Sequence, residues 1–274
     1  MPPVNAKPVS LFVVIATLLW SCAVEAAPIR VRLIEGAFRG FLVLRSLDGT
    51  GIAYGEVSQK PTGNLVECRT ILRFKDGSLY DEAATFSQKG VLRLEGYRLV
   101  QHGPSCPTLE VSFDRKSGQY SARSQAEKDG KQQVASGKFE MPADLYNGMA
   151  LMLLKNLPGG AGATVHIAVF TPEPRLIEME WSWEGEDEVL LGGRAMKTMR
   201  SLVKLKIGGL TGVIASLIGK SPPDLRYWLV AGDVPAFVRF EGSMFLNGPV
   251  WRLEMTTVAW PAGSDRRKSN EGRR

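Results

Sequence analysis

Histidine and cysteine are scarce in this sequence, which has two histidines and three cysteines among its 274 residues. These side chains supply most transition-metal ligands, thiol nucleophiles and groups that transfer protons near neutral pH. The sequence also lacks a G-x-S-x-G nucleophile motif. Gly219-Lys220-Ser221 resembles the end of a phosphate-binding loop, but Ile214 stands where that loop requires glycine. We therefore assign no catalytic residue and expect no metal and no cofactor.

Long apolar runs are missing after the N-terminal region. The run from Val9 to Trp20 follows Lys7 and is shorter than the ~20 residues of a transmembrane helix. Val24-Glu25-Ala26 then places small residues at the positions that a signal peptidase reads. We predict a signal peptide at residues 1–26 and a periplasmic or secreted mature chain without a membrane span.

Cys22 keeps an alternative open at the same place. Leu19-Trp20-Ser21-Cys22 has the form of a lipobox, although Trp20 is bulky where such boxes prefer small residues. In this alternative the protein is a lipoprotein anchored through Cys22. A retained, uncleaved anchor is the third interpretation.

Removal of the signal peptide leaves Cys68 and Cys106 as the remaining cysteines. Disulfides form and persist in exported proteins, so we predict a Cys68–Cys106 disulfide. The alternative is a metal site that combines both cysteines with His102. That set lacks a fourth ligand and the paired spacing of structural zinc sites.

Turn-forming residues are frequent, with 29 glycines and 16 prolines in the chain. Asp48-Gly49, Asp76-Gly77 and Asp129-Gly130 accept the backbone angles of tight hairpins. The stretches between these turns mix β-branched and aromatic residues with polar ones at a period near two. No helical segment separates them, so they predict a mainly β fold with an antiparallel meander.

One segment has helical periodicity. Over Pro142 to Leu157, apolar residues recur on one helical face, while Asp144 and Lys155 suit the first and last turns. The methionines of this helix fill a core or form a flexible stripe that contacts a ligand.

No repeat and no Pro/Ser-rich linker divides the mature chain, so we predict one β-rich domain over residues 27–262. Residues 263–274 form a polar, basic tail that we expect to be disordered. The formal net charge of +6 comes without a nucleic-acid-binding motif, so we expect no nucleic acid as partner. The acidic residues at 184–188 predict a solvated hairpin turn. His166, between two apolar residues, is typical of a hydrogen-bonded sheet histidine.

Five stretches of the C-terminal third carry a resemblance to known proteins: Gly208-Gly209-Leu210-Thr211-Gly212, Gly219-Lys220-Ser221-Pro222-Pro223-Asp224, Tyr227-Trp228-Leu229, Pro235-Ala236-Phe237-Val238 and Gly248-Pro249-Val250-Trp251-Arg252-Leu253. Through them this part of the chain resembles a family of exported bacterial proteins of unknown function. Their sheets are similar in outline to periplasmic domain-of-unknown-function proteins with lipoprotein-carrier-like half-barrels. The resemblance implies a curved antiparallel sheet, a half-barrel or open barrel, wrapped around one or two short helices with an apolar concave side.

Three functions follow as hypotheses. The first is a non-catalytic binding protein that holds a lipid or other apolar ligand, with the glycine-rich apolar segment 208–219 as a lid. The second is a structural or assembly protein of the envelope that binds another protein. The third is an enzyme with a dispersed site, which requires His102 or His166 in a cleft beside a carboxylate. The ligand-binding candidates are Met149, Met152, Leu153, Leu210, Ile214 and Leu217.

Overall fold

The structure is a computed structural model that describes residues 28–125, 130–158, 161–171, 173–206 and 222–256. Several predicted features lie outside the described residues: the signal peptide at 1–26 with Cys22, the segment 208–219 with Leu210, Ile214 and Leu217, and the tail at 263–274. Within the described residues the chain forms an antiparallel sheet and a short α-helix.

The sheet contains 14 strands of the described chain, in the order β8-β7-β6-β5-β4-β3-β2-β1-β14-β13-β12-β11-β10-β9. Strands that follow each other in sequence are paired, except β8 and β9, which lie at opposite ends of the order, and the β1–β14 pairing joins the two halves. This arrangement confirms the predicted antiparallel meander. The strands are β1 (Phe38–Arg45), β2 (Gly51–Thr62), β3 (Leu65–Phe74), β4 (Leu79–Lys89), β5 (Val91–His102), β6 (Leu109–Asp114), β7 (Gln119–Gln125), β8 (Gln132–Lys138), β9 (Ala163–Phe170), β10 (Pro174–Leu191), β11 (Arg194–Lys206), β12 (Leu225–Val230), β13 (Ala236–Ser243) and β14 (Val250–Thr256).

The predicted hairpin turns are confirmed where the structure describes them. Gly77, between β3 and β4, has a φ of 87°, which a residue with a side chain rarely adopts. The Oδ1 atom of Asp76 accepts a hydrogen bond from the backbone N–H of Ser78 at 2.9 Å. The Asp-Gly dipeptide therefore fixes both the backbone angle and the register of the hairpin.

The sheet is strongly curved. The ring centroids of Phe113 on β6 and Phe170 on β9 lie 6.1 Å apart, although β9 is at one end of the strand order and β6 is near the other. Tyr120 on β7 also lies 6.1 Å from Phe170. Register shifts within several strand pairs, such as that at Thr85/Phe86, add the local twist that curvature needs. The sheet therefore curls until its ends approach each other, without closing into a barrel.

The prediction of a solvated turn at the acidic residues 184–188 is wrong. These residues lie within β10, which continues to Leu191. Arg200 on the neighbouring strand lies 2.9 Å from both Glu184 and Asp187. Asp187 also accepts a hydrogen bond from the indole N–H of Trp228 at 2.9 Å. Cross-strand partners of opposite charge thus stabilise an acidic run in a strand conformation.

The helix α1 (Ala150–Asn156) is shorter than the predicted helix over Pro142 to Leu157. The preceding residues pair with β9 instead: the N–H of Tyr146 donates to the carbonyl of His166, and the N–H of His166 donates to that of Asp144. Asp144 is therefore outside the first helical turn, contrary to the prediction. Among the described residues, no helix has the length and apolar character that crossing a membrane requires.

The chain before β1 forms an N-terminal strap, residues 28–35, which crosses the start of β5. The N–H of Leu92 donates to the carbonyl of Ile29 at 2.8 Å. The hydroxyl of Tyr146 accepts from the N–H of Ile29 at 2.9 Å and donates to the carbonyl of Leu92 at 3.0 Å. One buried phenol therefore connects the strap, β5 and the segment before α1.

The strap also holds the last turn of α1. The Oδ1 atom of Asn156 accepts hydrogen bonds from the N–H groups of Arg32 and Leu33 at 2.7 and 2.9 Å. Lys155, confirmed as the basic residue of the last turn, lies 2.6 Å from the buried carboxylate of Glu35. These contacts fix α1 between the strap and the concave side of the sheet.

The predicted Cys68–Cys106 disulfide is not formed in the structure, where both thiols are free and buried. Cys68 lies within β3, opposite Ala84. Cys106 lies beyond the other end of β3, because its neighbour Ser105 hydrogen-bonds Ser78 of the β3–β4 hairpin. At about 3.3 Å per residue, β3 extends about 20 Å from Cys68 to the hairpin. A disulfide needs Cα atoms about 4.4–6.8 Å apart, so the fold keeps these thiols separate.

We expect both thiols to resist modification in the native protein. Burial raises the pKa of Cys68 to about 12 and that of Cys106 to about 11, which removes the reactive thiolate at neutral pH. A chromogenic disulfide reagent should therefore react with Cys68 and Cys106 only after denaturation, and a reductant should leave the melting temperature unchanged. Recovery of a Cys68–Cys106 peptide from a non-reducing digest would contradict this expectation.

Candidate functional site

The concave side of the sheet encloses a cavity of about 590 Å³. Its size is within the range of about 300–1,000 Å³ that is usual for small-molecule pockets. The wall combines strands from both halves of the sheet with the chain around the start of α1 and the connection between β13 and β14. Apolar side chains predominate in this wall, among them Leu42, Val57, Leu99, Ile167, Phe240 and Leu253.

A carboxyl group lies at this apolar wall. Side chains alternate between the two faces of β4, so Tyr80, Glu82 and Ala84 share the concave face. Ala84 is opposite Tyr97 of β5, which makes Glu82 and Tyr97 diagonal neighbours. The hydroxyl of Tyr97 donates a hydrogen bond to Oε1 of Glu82 at 2.8 Å.

Burial is the main influence on the pKa of the Glu82 carboxyl. It raises the pKa of Glu82, while hydrogen bonds from Tyr97 and Tyr80 act in the opposite direction. Among the described residues that line the cavity there is no lysine, arginine, histidine or aspartate. Glu82 therefore has hydrogen-bond donors beside it, but no cationic side chain of the described wall faces it.

Three tyrosines accompany this carboxyl, and we refer to Tyr80, Glu82, Tyr97 and Tyr227 as the Glu82 cluster. Burial raises the pKa of each tyrosine above its ordinary value, and the nearby charge of Glu82 adds to the effect. The phenols therefore stay protonated at neutral pH. Since all four residues line the cavity, a bound molecule meets one acid among three aromatic rings.

Gln101 gives the cavity a second polar position. It is opposite Tyr80 in the register of β4 and β5, and it is 1% exposed. Within the described part of the chain, neither Nε2 nor Oε1 of Gln101 has a hydrogen-bond partner. A buried polar group without a partner costs about 1–3 kcal/mol. A ligand that hydrogen-bonds Gln101 would recover that free energy.

The chain passes close to the Glu82 cluster just before α1. Gly148 has a φ of 67°, and a Cβ atom there would lie 3.4 Å from Cδ of Glu82 and 3.1 Å from Cβ of Ala84. The side chain of the preceding Asn147 donates to the carbonyl of Ala168 and accepts from its N–H, both at 2.8 Å. Asn147 thus fixes this segment on β9. Because Gly148 has no side chain, the backbone can pass beside the carboxyl of Glu82.

The candidate ligand contacts of α1 lie in the core. Met149, Met152 and Leu153 are buried among core residues, and Sδ of Met152 lies 3.2 Å from Nε2 of Gln59. Their neighbours Ala150 and Leu151 line the cavity. The other three candidates, Leu210, Ile214 and Leu217, lie outside the described residues. The helix therefore faces the cavity through different residues from those that its methionine content indicated.

Neither histidine is part of the cavity wall that the structure describes. Nδ1 of His166 lies 2.6 Å from Oδ2 of Asp144, and this pair holds the segment before α1 on β9. His102 is exposed at the end of β5. Over the described ranges, no three His, Cys, Asp or Glu side chains are grouped as metal ligands would be. The alternative of Cys68, His102 and Cys106 as a metal site thus has no support in the described geometry.

Glu82 was missed in the sequence because Asp81 and Glu82 together resemble an ordinary polar pair. Their period-two neighbours contain the signal that separates them. Glu82 alternates with Tyr80, Ala84 and Phe86, which are the apolar positions of β4. Asp81 is on the opposite face, where Arg69 lies 2.7 Å away. An acid in phase with the apolar residues of a half-buried strand indicates a carboxyl on the core side of the sheet.

Comparison with known proteins finds a limited likeness among solved structures. No protein-family model matches the chain, and no curated protein matches it. The solved structures with some likeness include a "beta-barrel-like protein of domain of unknown function DUF1849" from Brucella abortus, at 11% identity and a TM-score of 0.40. The alignment covers 84% of this chain and 98% of that one. That structural neighbour is itself a protein of unknown function.

Proposed function

We propose that this protein is a non-catalytic binding protein that holds an apolar or amphipathic ligand, such as a lipid, inside its curved sheet. The observation that carries the proposal is the cavity of about 590 Å³ with a mostly apolar wall. Burial of an alkyl chain releases about 0.8 kcal/mol per methylene before association costs are subtracted. Micromolar dissociation constants follow for chains of moderate length.

We propose the periplasm or the extracellular space as the place of this activity. The predicted signal peptide at residues 1–26 supports it, and the alternative anchor at Cys22 would keep the protein in the same envelope. The outline resemblance to lipoprotein-carrier-like half-barrels agrees with a carrier function. The N-terminus of the mature protein, read by Edman degradation, tests the cleavage site directly.

A neutral fluorescent probe tests the binding function. Phenylnaphthylamine gains fluorescence in apolar surroundings, so titration of the native protein should give a saturable signal. The variant Ser124→Trp places a large ring at the cavity wall and should raise the dissociation constant about tenfold. Ser121 on the same strand is exposed and on the other face, so Ser121→Trp is the matched control and should leave binding unchanged.

The two variants also separate binding from stability. Both substitutions add the same indole to β7, so any general effect of tryptophan on the sheet is common to them. If both variants lost probe affinity equally while their melting temperatures stayed unchanged, the probe would bind outside the cavity. A native protein that gives no saturable signal with the probe would refute the binding function and favour the hypothesis of an envelope partner protein.

A further inference from the structure

The Glu82 cluster restricts which apolar ligand fits the cavity. Glu82 supplies a carboxyl with two oxygens, and Tyr97 occupies Oε1 with a hydrogen bond. The rings of Tyr80, Tyr97 and Tyr227 line the same cavity as this carboxyl. A carboxylate together with aromatic faces is the chemistry that binds ammonium groups, because the ring faces carry negative potential.

The free-energy balance favours a cation over an anion. Desolvation of a carboxylate in an apolar cavity is costly, and a nearby opposite charge offsets part of that cost. A ligand carboxylate would place two like charges together, or would require a proton on one of them. Oε1 of Gln101, which has no partner within the described chain, adds an acceptor for N–H donors.

We propose that the ligand is a cationic amphiphile, an alkyl chain with a protonated amine, whose ammonium group binds Glu82. This proposal rests on the proposed binding function and adds the chemical class of the ligand. The apolar chain occupies the Leu- and Phe-lined part of the cavity, and the amine lies among the tyrosines of the Glu82 cluster.

The overall charge of the protein works against this preference. The formal net charge is +6, so non-specific attraction to the surface favours anionic amphiphiles. A preference for the amine therefore reports the local chemistry of the cavity.

Three ligands of equal chain length test the proposal: dodecylamine, dodecanol and dodecanoic acid, each below its micelle concentration. Displacement of phenylnaphthylamine from the native protein gives their relative affinities. We expect the amine to bind at least about tenfold more tightly than the acid, with the alcohol between them. Equal affinities, or tightest binding of the acid, would overturn the cationic preference while the binding function stands. If none of the three ligands displaces the probe, the proposal of a cationic amphiphile is overturned. The binding function itself is refuted only if phenylnaphthylamine gives no saturable signal with the native protein.

Adjacent residues provide the variant and its control. Glu82→Gln keeps the shape of the side chain and removes its charge, so the amine should lose its advantage over the alcohol. Asp81→Asn removes a charge from the opposite face of the same strand, where Arg69 pairs with it. The ratio of amine to alcohol affinity should be unchanged in Asp81→Asn. An unchanged ratio in Glu82→Gln would refute the role of Glu82.

The native protein gives a second test that does not depend on the folding of a variant. The groups that face Glu82 are the phenols of Tyr80, Tyr97 and Tyr227 and the thiol of Cys68, and all of them stay protonated in the acidic range. Acidification therefore protonates Glu82 while these four neighbours keep their protons. Amine affinity should fall as the pH decreases towards 4 while dodecanol affinity stays constant, and a flat amine profile would contradict the proposal.

Discussion

At neutral pH, Glu82→Gln is expected to raise the melting temperature, and Asp81→Asn is expected to lower it. The two carboxyls are adjacent in sequence and face opposite sides of β4. Burial raises the pKa of Glu82, whereas hydrogen bonds from Arg69 lower the pKa of Asp81. A charge that is buried without a cationic partner destabilises the folded state, and a charge with a bidentate partner stabilises it.

The two effects depend on pH in opposite ways. The unfolded Glu82 carboxyl loses its proton near the ordinary glutamate pKa of 4.5, while the folded carboxyl keeps it to higher pH. In that interval the folded state binds more protons, so stability falls as the pH rises. The Glu82→Gln variant does not undergo this loss of stability, because its side chain does not titrate. The gain in stability of this variant over the native protein should be present at neutral pH and should disappear below about pH 4.

Asp81 behaves in the reverse sense. Its folded-state pKa is lowered from the ordinary aspartate value of 3.8, so its contribution is present above that pH and is lost as the pH falls through the folded-state pKa. The Asp81→Asn variant should therefore melt below the native protein at neutral pH and approach it in strong acid. Melting curves by circular dichroism between pH 3 and 8 measure both variants. A Glu82→Gln variant that melts at or below the native temperature at neutral pH would show that the Glu82 charge is compensated.

Local chemistry made most of the strands predictable. Asp76-Gly77 fixes a hairpin through one backbone angle and one side-chain hydrogen bond, both of which depend on adjacent residues. The alternation of apolar and polar residues at a period of two then predicted the strands on either side of each turn. The antiparallel order follows locally where a short turn joins one strand to the next, as between β3 and β4. Long-range information is needed where β1 meets β14 and where longer connections join β8 to β9 and β11 to β12.

The features that sequence reasoning missed depend on contacts between distant residues. The acidic residues at 184–188 continue a strand because Arg200 is opposite them, which no local pattern shows. The helix begins late because Asp144 and Tyr146 pair with His166 on β9. The position of Glu82 at the cavity wall could be predicted only with knowledge of which face of β4 is concave. In each case the deciding partner is far away in sequence.

Removal of one amide should cost more stability than either charge substitution. Asn156 is 1% exposed, and its Oδ1 accepts hydrogen bonds from the backbone N–H groups of Arg32 and Leu33. Its Nδ2 donates to the carbonyl of Met152 at 2.8 Å. The Asn156→Ala variant leaves three backbone groups without these partners. A fully buried orphan group costs about 1–3 kcal/mol, and the N–H groups of Arg32 and Leu33 are only partly buried, so we expect a total loss of about 3–5 kcal/mol, at the low end for three groups.

This loss should begin at the strap, because Asn156, together with the Lys155–Glu35 ion pair, joins residues 28–35 to the end of α1. Hydrogen exchange at Arg32 and Leu33 should accelerate more than exchange in the sheet, and denaturant melts should give the free energy of unfolding. Asn64 is exposed in the β2–β3 turn, so Asn64→Ala is the matched control and should change stability by less than about 0.5 kcal/mol. An Asn156→Ala variant with native stability and unchanged exchange would show that the strap is held by other contacts. Because Ala150 and Leu151 of α1 line the cavity, the same variant should also weaken binding of phenylnaphthylamine.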